Sequence, residues 1–312
     1  MTNLLPFSID LNDAGISLNE YVDKKDSTRL VLVGQSISVN TIICICQKLR
    51  IKSVSVEVHP LHLSFGQSVY VLALSEFTVD QRVLTEISDQ FFIDVFVQSS
   101  ISMRDAGVLI MDMDSTVIAM ECIDEIAALA GVKQQVAEVT ERAMRGEIAF
   151  TDSLHRRVAC LKGVNITNLA SIRSRLPFSP NFMQTMQMLK KHGWTLVLAS
   201  GGFTYFADYI KDLAQLDYAY SNTLAEDKGV LAGAVVGDVV DATKKADILR
   251  EVSLKHDIPL EKTIAIGDGA NDLKMMKSAG WSVAYRAKPA VKNEANASIN
   301  TGGFDSLLYM LR

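Results

Sequence analysis

Cysteine is scarce in this chain: Cys44, Cys46, Cys122 and Cys160 are the only four in 312 residues, and no two form a C-x-x-C pair. That excludes a disulfide framework and paired-thiol zinc sites, and the apolar neighbours of each thiol predict buried, reduced side chains. Proline is scarcer than glycine, 6 against 18, and charged residues make up 21% beside 48% hydrophobic. Collagen-like, low-complexity and largely disordered chains are thereby excluded. No apolar run is long enough to span a bilayer: VYVLAL from Val69 is typical of the longest, against the ~18 residues needed. The opening MTNLLPFSIDLNDAGIS has neither a basic flank nor a sustained apolar stretch, so it does not read as a signal peptide and the chain is expected in the cytoplasm. Excess positive charge is lacking too, since 31 Lys and Arg against 36 Asp and Glu leave a net charge of −5. Nucleic acid and membrane surfaces are therefore not expected as partners, and an anionic substrate must be met by local positive groups.

What is present reads as two regimes. Residues 1–28 are polar and acidic and predict a loosely ordered lead-in. From Arg29 the periods sharpen: RLVLV is a strand, Ile37 to Leu49 a helix, SVSVEV and VYVLAL strands, Val79 to Ile87 a helix, and FIDVFV a strand. That βαββαβ order over residues 29–100 is the ferredoxin-like split unit, and in its element order it resembles small amino-acid-sensing (ACT-like) domains. It is expected to serve dimerisation, giving a homodimer, or amino-acid sensing. A polar stretch, Gln98 to Gly107, then leads into residues 105–312. There GVLIMD, TLVLAS and TIAIGD each read as a buried parallel strand, and the alternation with helices predicts a doubly wound α/β sheet. Between the first two strands the chain reads almost wholly as helix. Inserted after a parallel strand, such a bundle lies over the crevice where these sheets bind ligands and is placed to act as a lid. LAEDKGVLAGAVVGD reads as a hairpin.

Three stretches carry chemistry. In Asp112-Met113-Asp114-Ser115-Thr116 the two acids stand at i and i+2, on one face of a strand's end, and their repulsion invites a hard cation such as Mg²⁺. A calcium EF-hand starting at Asp112 fails, because Val117 and Ile123 stand where it needs glycine and glutamate. Ser200-Gly201-Gly202 follows the second strand and precedes a helix, offering a hydroxyl and backbone N–H groups to a phosphate. Gly267-Asp268-Gly269-Ala270-Asn271-Asp272 follows the third, with glycines for tight curvature and acids as oxygen ligands. Lys244 and Lys245 open a further helix, and a lysine there can offset phosphoryl charge.

Taken in this order, DMDST, SGG, a lysine and GDGAND resemble the haloacid dehalogenase (HAD) superfamily, from Gly107 to the C-terminus. The longer stretches DMDSTVIAMECIDEIA, ERAMRGEIAFTDSLHRRV, ASGGFT and AIGDGANDLKMMKSAG are similar to the branch that dephosphorylates O-phosphoserine, the last step of L-serine biosynthesis. The resemblance implies a Rossmann-like core with a helical cap inserted at about residues 117–190. It also implies an aspartyl-phosphate intermediate and Mg²⁺ as cofactor. It makes Asp112 the nucleophile and Asp114 the general acid and base. It assigns the metal to Asp112, Asp114 (through its backbone carbonyl) and Asp268. Ser200, Gly201, Lys245 and Asn271 match phosphate-binding positions, with Lys244 beside Lys245 leaving that choice open by one residue. Glu121 and Arg157 match the positions that hold the substrate's ammonium and carboxylate, and Phe150 a cap residue covering the site. Cys122 stands where the family often has threonine, a residue of similar size. Two other readings remain: a phosphatase or phosphotransferase for another small phosphomonoester, or an amino-acid sensor with a silent catalytic half. Competent side chains at every candidate position argue against the second.

Overall fold

Strands and helices alternate where the hydrophobic periods place them. The computed structural model describes residues 6–12, 15–21, 28–75 and 77–312. The elements begin with β1 (Phe7–Asn12), β2 (Gly15–Glu20), β3 (Thr28–Gly34), α1 (Val39–Lys48), β4 (Ser53–Val58), β5 (Ser68–Leu74), α2 (Gln81–Phe91) and β6 (Asp94–Val97). There follow β7 (Val108–Met111), α3 (Cys122–Leu129), α4 (Lys133–Met144), α5 (Phe150–Ala159), α6 (Ile166–Arg173), α7 (Phe182–Lys191), β8 (Thr195–Phe203) and α8 (Thr204–Ala214). The chain continues through β9 (Tyr218–Asp227), β10 (Val230–Val236), α9 (Ala242–Lys255), β11 (Thr263–Gly267) and α10 (Leu273–Ser278). It closes with β12 (Trp281–Tyr285), α11 (Pro289–Glu294), β13 (Ala297–Ile299) and α12 (Ser306–Met310). Among the described residues no helix is long and apolar enough to cross a membrane. The chain divides into two compact bodies, one of residues 1–105, 180–185 and 282–312, the other of 106–179 and 186–281.

The first body holds a six-stranded antiparallel sheet in the order β2-β1-β4-β5-β3-β6. Its β3-α1-β4-β5-α2-β6 portion has the ferredoxin-like order expected. Strand alternation sends Leu30, Leu32, Leu72 and Val95 into one apolar cluster with Ile42, Ile45, Leu84 and Ile87 of the two helices. The lead-in expected for residues 1–28 is corrected in its described part, where β1 and β2 form a hairpin and β1 pairs with β4. Phe7, Ile9 and Leu11 alternate with Ser8, Asp10 and Asn12, and this period of two buries Ile9 fully. Every residue of β2 is exposed, although Ile16 and Leu18 alternate with Ser17 and Asn19 in the same period of two. Residues 1–5, 13–14 and 22–27 of that expected lead-in lie outside the described residues.

A second departure concerns the boundary at residue 105. Residues 282–312 group with the first body, not with the rest of the expected phosphatase domain. Ser99 N donates to Met310 O at 2.8 Å, Met103 N to Arg312 O at 2.8 Å and Arg312 N to Ile101 O at 2.9 Å. Buried Asp94 accepts from the backbone N–H groups of Asn300 (2.8 Å), Thr301 (3.0 Å) and Gly302 (2.8 Å). Part of the expected linker is thus interior structure, with Gln98 and Ser99 buried.

In the second body β10-β9-β8-β7-β11 lie side by side, and β9, β8, β7 and β11 run parallel. Their apolar runs are covered on both faces: Val108 to Met111, Leu196 to Ala199 and Ile264 to Ile266 are all buried. The chain leaves β7 for β8 on one side and later reaches β11 on the other, so the C-terminal end of β7 is a topological switch point, where such sheets bind ligands. The helices α3 to α6 are inserted directly after β7. The β9–β10 hairpin, turning at Lys228-Gly229, holds the chain that follows α5: Gly163 N donates to Leu231 O and Leu231 N to Val164 O, both at 2.8 Å.

Candidate active site

Asp112 extends the β7–β11 ladder by one bond, its N–H donating to Ile266 O at 3.0 Å, and the chain then turns sharply. Ile118 N closes the turn onto Met113 O at 3.0 Å, with Ser115 held at φ 57°. A non-glycine residue in the left-handed region is strained, and the strain here sits between the two candidate acids and the cap.

Lys245, on the buried face of α9, places Nζ 2.8 Å from Asp112 Oδ1 and 2.8 Å from Asp272 Oδ1, and is only 1% exposed. Lys244 points outward to Glu251 at 3.7 Å. The choice between the two lysines left open by spacing therefore falls geometrically on Lys245. Burial works against the Lys245 ammonium, but the two carboxylates outweigh it and raise its pKa. Asp112, Asp268 and Asp272 offer carboxylate oxygens within 4.8 Å of one another. Burial and the charge of Asp112 push Asp268 up to about 6 and Asp272 up to about 7. Three crowded carboxylates, buried at Asp112 and Asp272 and half-buried at Asp268, outnumber the one ammonium, and an all-oxygen donor set suits Mg²⁺. Thr116 Oγ1 steadies the cluster by donating to Asp268 Oδ1 at 3.2 Å.

Asp114 is not in that carboxylate trio. Its Oδ1 accepts from Cys122 N at 3.1 Å, at the start of α3. Burial, then the charges of Glu121 and Asp112, push its pKa up to about 8 against the help of the Cys122 bond, a shift that favours its protonated form. The neighbouring strand permits this placement only through glycine, since a Cβ on Gly202 would lie 2.5 Å from Asp114 Oδ2. Ser200 is buried, its Oγ accepting from Gly202 N at 2.9 Å. The Phe150 ring, at the start of α5, lies over Gly201, where a Cβ would meet its Cζ at 2.9 Å. Asn271 sits half-buried in the single turn Ala270–Asp272.

The cap contributes opposite charges. Glu121 precedes α3 and accepts from Ser115 Oγ at 2.7 Å. The protein around its carboxylate raises its pKa, a trend that the Ser115 bond and Arg157 oppose. Arg157 is half-buried on α5, lowered in pKa by burial and raised by Glu121, Asp124 and Asp114. Its Nε has no hydrogen-bond partner among the described residues. The other arginines that charge alone could not separate from it face solvent: Arg142 and Arg145 pair with Glu147 at 3.2 and 2.7 Å, and Arg156 is exposed.

The geometry thus gathers Asp112, Lys245 and Asp268 in one cluster, links Asp114 to the start of α3, stacks Phe150 over Gly201, and sets Glu121 within the field of Arg157. Sequence reasoning missed three contributors. Asp272 lay unassigned in GDGAND, although its spacing of four from Asp268 was visible. Thr116 lay in DMDST. Gly202 was quoted in SGG without a reason for being glycine.

The haloacid dehalogenase-like hydrolase family matches residues 107–280. The chain is 49% identical over 205 residues to a phosphoserine phosphatase of Vibrio cholerae, covering 66% of this chain and 62% of that one. It is 51% identical over 206 residues to a phosphoserine phosphatase of Haemophilus influenzae, covering 66% of each. The matched stretch therefore spans slightly less than two thirds of these curated relatives. The crystal structure of a probable phosphoserine phosphatase from Vibrio cholerae, unliganded, superposes with a TM-score of 0.79 at 38% identity, covering 93% of this chain and 88% of that one.

Proposed function

Because the chain belongs to the haloacid dehalogenase-like hydrolases, we propose that it hydrolyses O-phospho-L-serine to L-serine and inorganic phosphate, with Asp112 as nucleophile. The observation that carries the reading is the pair of opposite charges, Glu121 and Arg157, in the cap segment inserted directly after the strand end that bears Asp112 and Asp114, with Glu121 held by Ser115 and the Arg157 Nε without a partner among the described residues. Phosphoserine differs from simpler phosphomonoesters by one ammonium and one carboxylate, and these two side chains match them in charge. The relatives from Vibrio and Haemophilus carry that activity in their names.

A phosphate monoester is a dianion, so a carboxylate can approach it only where charge is offset. Lys245 does this beside Asp112, with Ser200, Gly201 and Asn271 assigned to the phosphate oxygens. An Asp112 oxygen attacks phosphorus and the bond from phosphorus to the serine oxygen breaks. Asp114 gives its proton to that departing oxygen, leaving serine and an acyl phosphate on Asp112. The Asp114 carboxylate then takes a proton from water, whose oxygen attacks phosphorus. The bond to Asp112 breaks and phosphate leaves. Phe150 and the cap helices exclude other water until serine has gone. Asp112, Asp268 and Asp272, together with the Asp114 carbonyl, would hold Mg²⁺, which when bound supplies further charge neutralisation at the phosphoryl oxygens.

The proposal includes a cytoplasmic location, which the four free thiols support, and it assigns the first body to dimerisation or amino-acid sensing. Sedimentation of the chain with and without L-serine tests the last point. For the activity, phosphate release is measured across O-phosphoserine, phosphoethanolamine and glycerol phosphate, with and without a chelator. Preference for O-phosphoserine, lost on chelation and restored by Mg²⁺, is expected. Equal rates on all three would remove phosphoserine as the substrate.

A further inference from the structure

The phosphate loop is not part of a regular strand pair. The β8–β9 ladder runs Val197 to Tyr218, Leu198 to Ala219 and Ala199 to Tyr220, then resumes at Phe203 to Asn222. Ser200, Gly201 and Gly202 therefore face the single residue Ser221, and the excess bulges out of the sheet. Such a bulge takes the Gly201 carbonyl out of the ladder. Asn222 restores the bond with a side chain, its Nδ2 donating to Gly201 O at 2.8 Å. The other end of the same amide, Oδ1, accepts from Val240 N at 2.9 Å.

Val240 immediately precedes the cap of α9. Asp241 accepts from Thr243 N at 2.9 Å and Lys244 N at 2.8 Å, and its carbonyl takes Lys245 N at 3.0 Å. One fully buried amide thus ties the bulge bearing Ser200 and Gly201 to the first turn of the helix bearing Lys245. The two partners dictate the residue type. A carbonyl needs a donor and an N–H needs an acceptor, on opposite sides of one short side chain, and among side chains of this length only asparagine offers both.

We infer that Asn222 is a positioning residue for phosphate: it sets the distance between the Ser200-Gly201 loop and Lys245, and so the grip on a phosphoryl group from two sides. This rests on reading the site as a phosphate site. Asn222→Ala removes both arms, while Asn222→Asp keeps the shape and the acceptor but turns a carboxylate oxygen toward the Gly201 carbonyl. A structural residue alone would lower thermal stability and leave the affinity of the folded fraction unchanged.

The test uses the full chain with inorganic phosphate as the probe, measured by calorimetry and by product inhibition, beside thermal melting and steady-state kinetics on O-phosphoserine. Folded Asn222→Ala is expected to bind phosphate about tenfold more weakly, the scale of a misplaced hydrogen bond. Asn222→Asp is expected to bind it more weakly still, with kcat falling in both variants. A variant that melts earlier but binds phosphate as the wild type does would overturn the inference. So would a failure of both variants to fold, which would make Asn222 a support of the fold and nothing more. The wild type decides the underlying reading separately, since a wild-type chain that binds no phosphate and hydrolyses no phosphomonoester sinks the site assignment itself.

Discussion

Gly202→Ala probes the proposed acid by adding one methyl group. Gly202 does not adopt a left-handed φ, so alanine is compatible with the backbone and the perturbation is steric alone. The new Cβ would lie 2.5 Å from Asp114 Oδ2 and 2.5 Å from Met113 Cε, whereas ordinary contact begins at 3.4 Å. The end of a methionine side chain can swing aside. Asp114 has less freedom, because its other oxygen takes the Cys122 N–H at 3.1 Å. The carboxyl must therefore move by about 1 Å, a misplacement that costs about 100-fold in a step requiring it.

The substrate's leaving group makes the effect diagnostic. The serine alkoxide cannot depart without a proton, whereas p-nitrophenolate is stable enough to leave unassisted. In rapid mixing, Gly202→Ala should keep its burst of p-nitrophenol and lose steady-state turnover, because hydrolysis of the acyl phosphate still needs Asp114 as base. On O-phosphoserine both steps should slow, and kcat should fall about 100-fold with a melting temperature lowered by a few degrees at most. A kcat on O-phosphoserine within about threefold of wild type, some 0.6 kcal/mol, would refute the reasoning. An equal loss in burst and turnover would move the damage from Asp114 to the Ser200-Gly201 loop proposed to hold phosphate.

Asp112→Asn is close in size but is no longer a carboxylate nucleophile; turnover should fall by several orders of magnitude while the far-ultraviolet dichroism stays unchanged, and no phosphorylated chain should be trapped by acid quench. Arg157→Ala should lose roughly 10- to 100-fold in kcat/KM on phosphoserine, the worth of a charge-assisted bond, and almost nothing on phosphoethanolamine, whereas Glu121→Gln should weaken both; parallel kinetics on the two substrates decide it. His59, buried against Tyr309, has its pKa lowered from 6.5 to about 4 by burial, then by Arg29 and His62. The unfolded chain therefore binds the proton first as pH falls, so stability present above pH 6.5 is lost between 6.5 and about 4, roughly 2 kcal/mol of it by pH 5. Urea midpoints at pH 7.5 and 5 should differ less in His59→Gln than in wild type.

The site was legible in the sequence where its chemistry is local. Asp112 and Asp114 at the end of one strand, and Asp268 with Asn271 in one short loop, announce themselves by spacing. Lys245 and Arg157 were ambiguous by charge, yet the helical period already separates them from their neighbours. Lys245 shares its face with Ile248, Leu249 and Val252, all buried, and Arg157 lies three and four residues beyond buried Leu154 and Ser153. A charged residue at the position of a buried face is held there by a partner, which is a stronger signal than charge itself. The ferredoxin-like order was legible for the same reason, its strands and helices each showing their own period. What stayed hidden depends on pairings distant along the chain. Nothing near Tyr309 tells that its backbone neighbours bond to Ser99 and Met103, and nothing near Asn222 tells that a bulge lies opposite. Asp272 falls between the two cases, local to the motif but turned toward Lys245 by a fold in which 27 residues separate them. The two lysine-bonded acids, Asp112 and Asp272, come from different strands' ends, so the cluster that would hold the metal exists only once β7 and β11 have paired. Asp268 and Asp272 should therefore lose their raised pKa values together in any variant that breaks that pairing, even one remote from every acid.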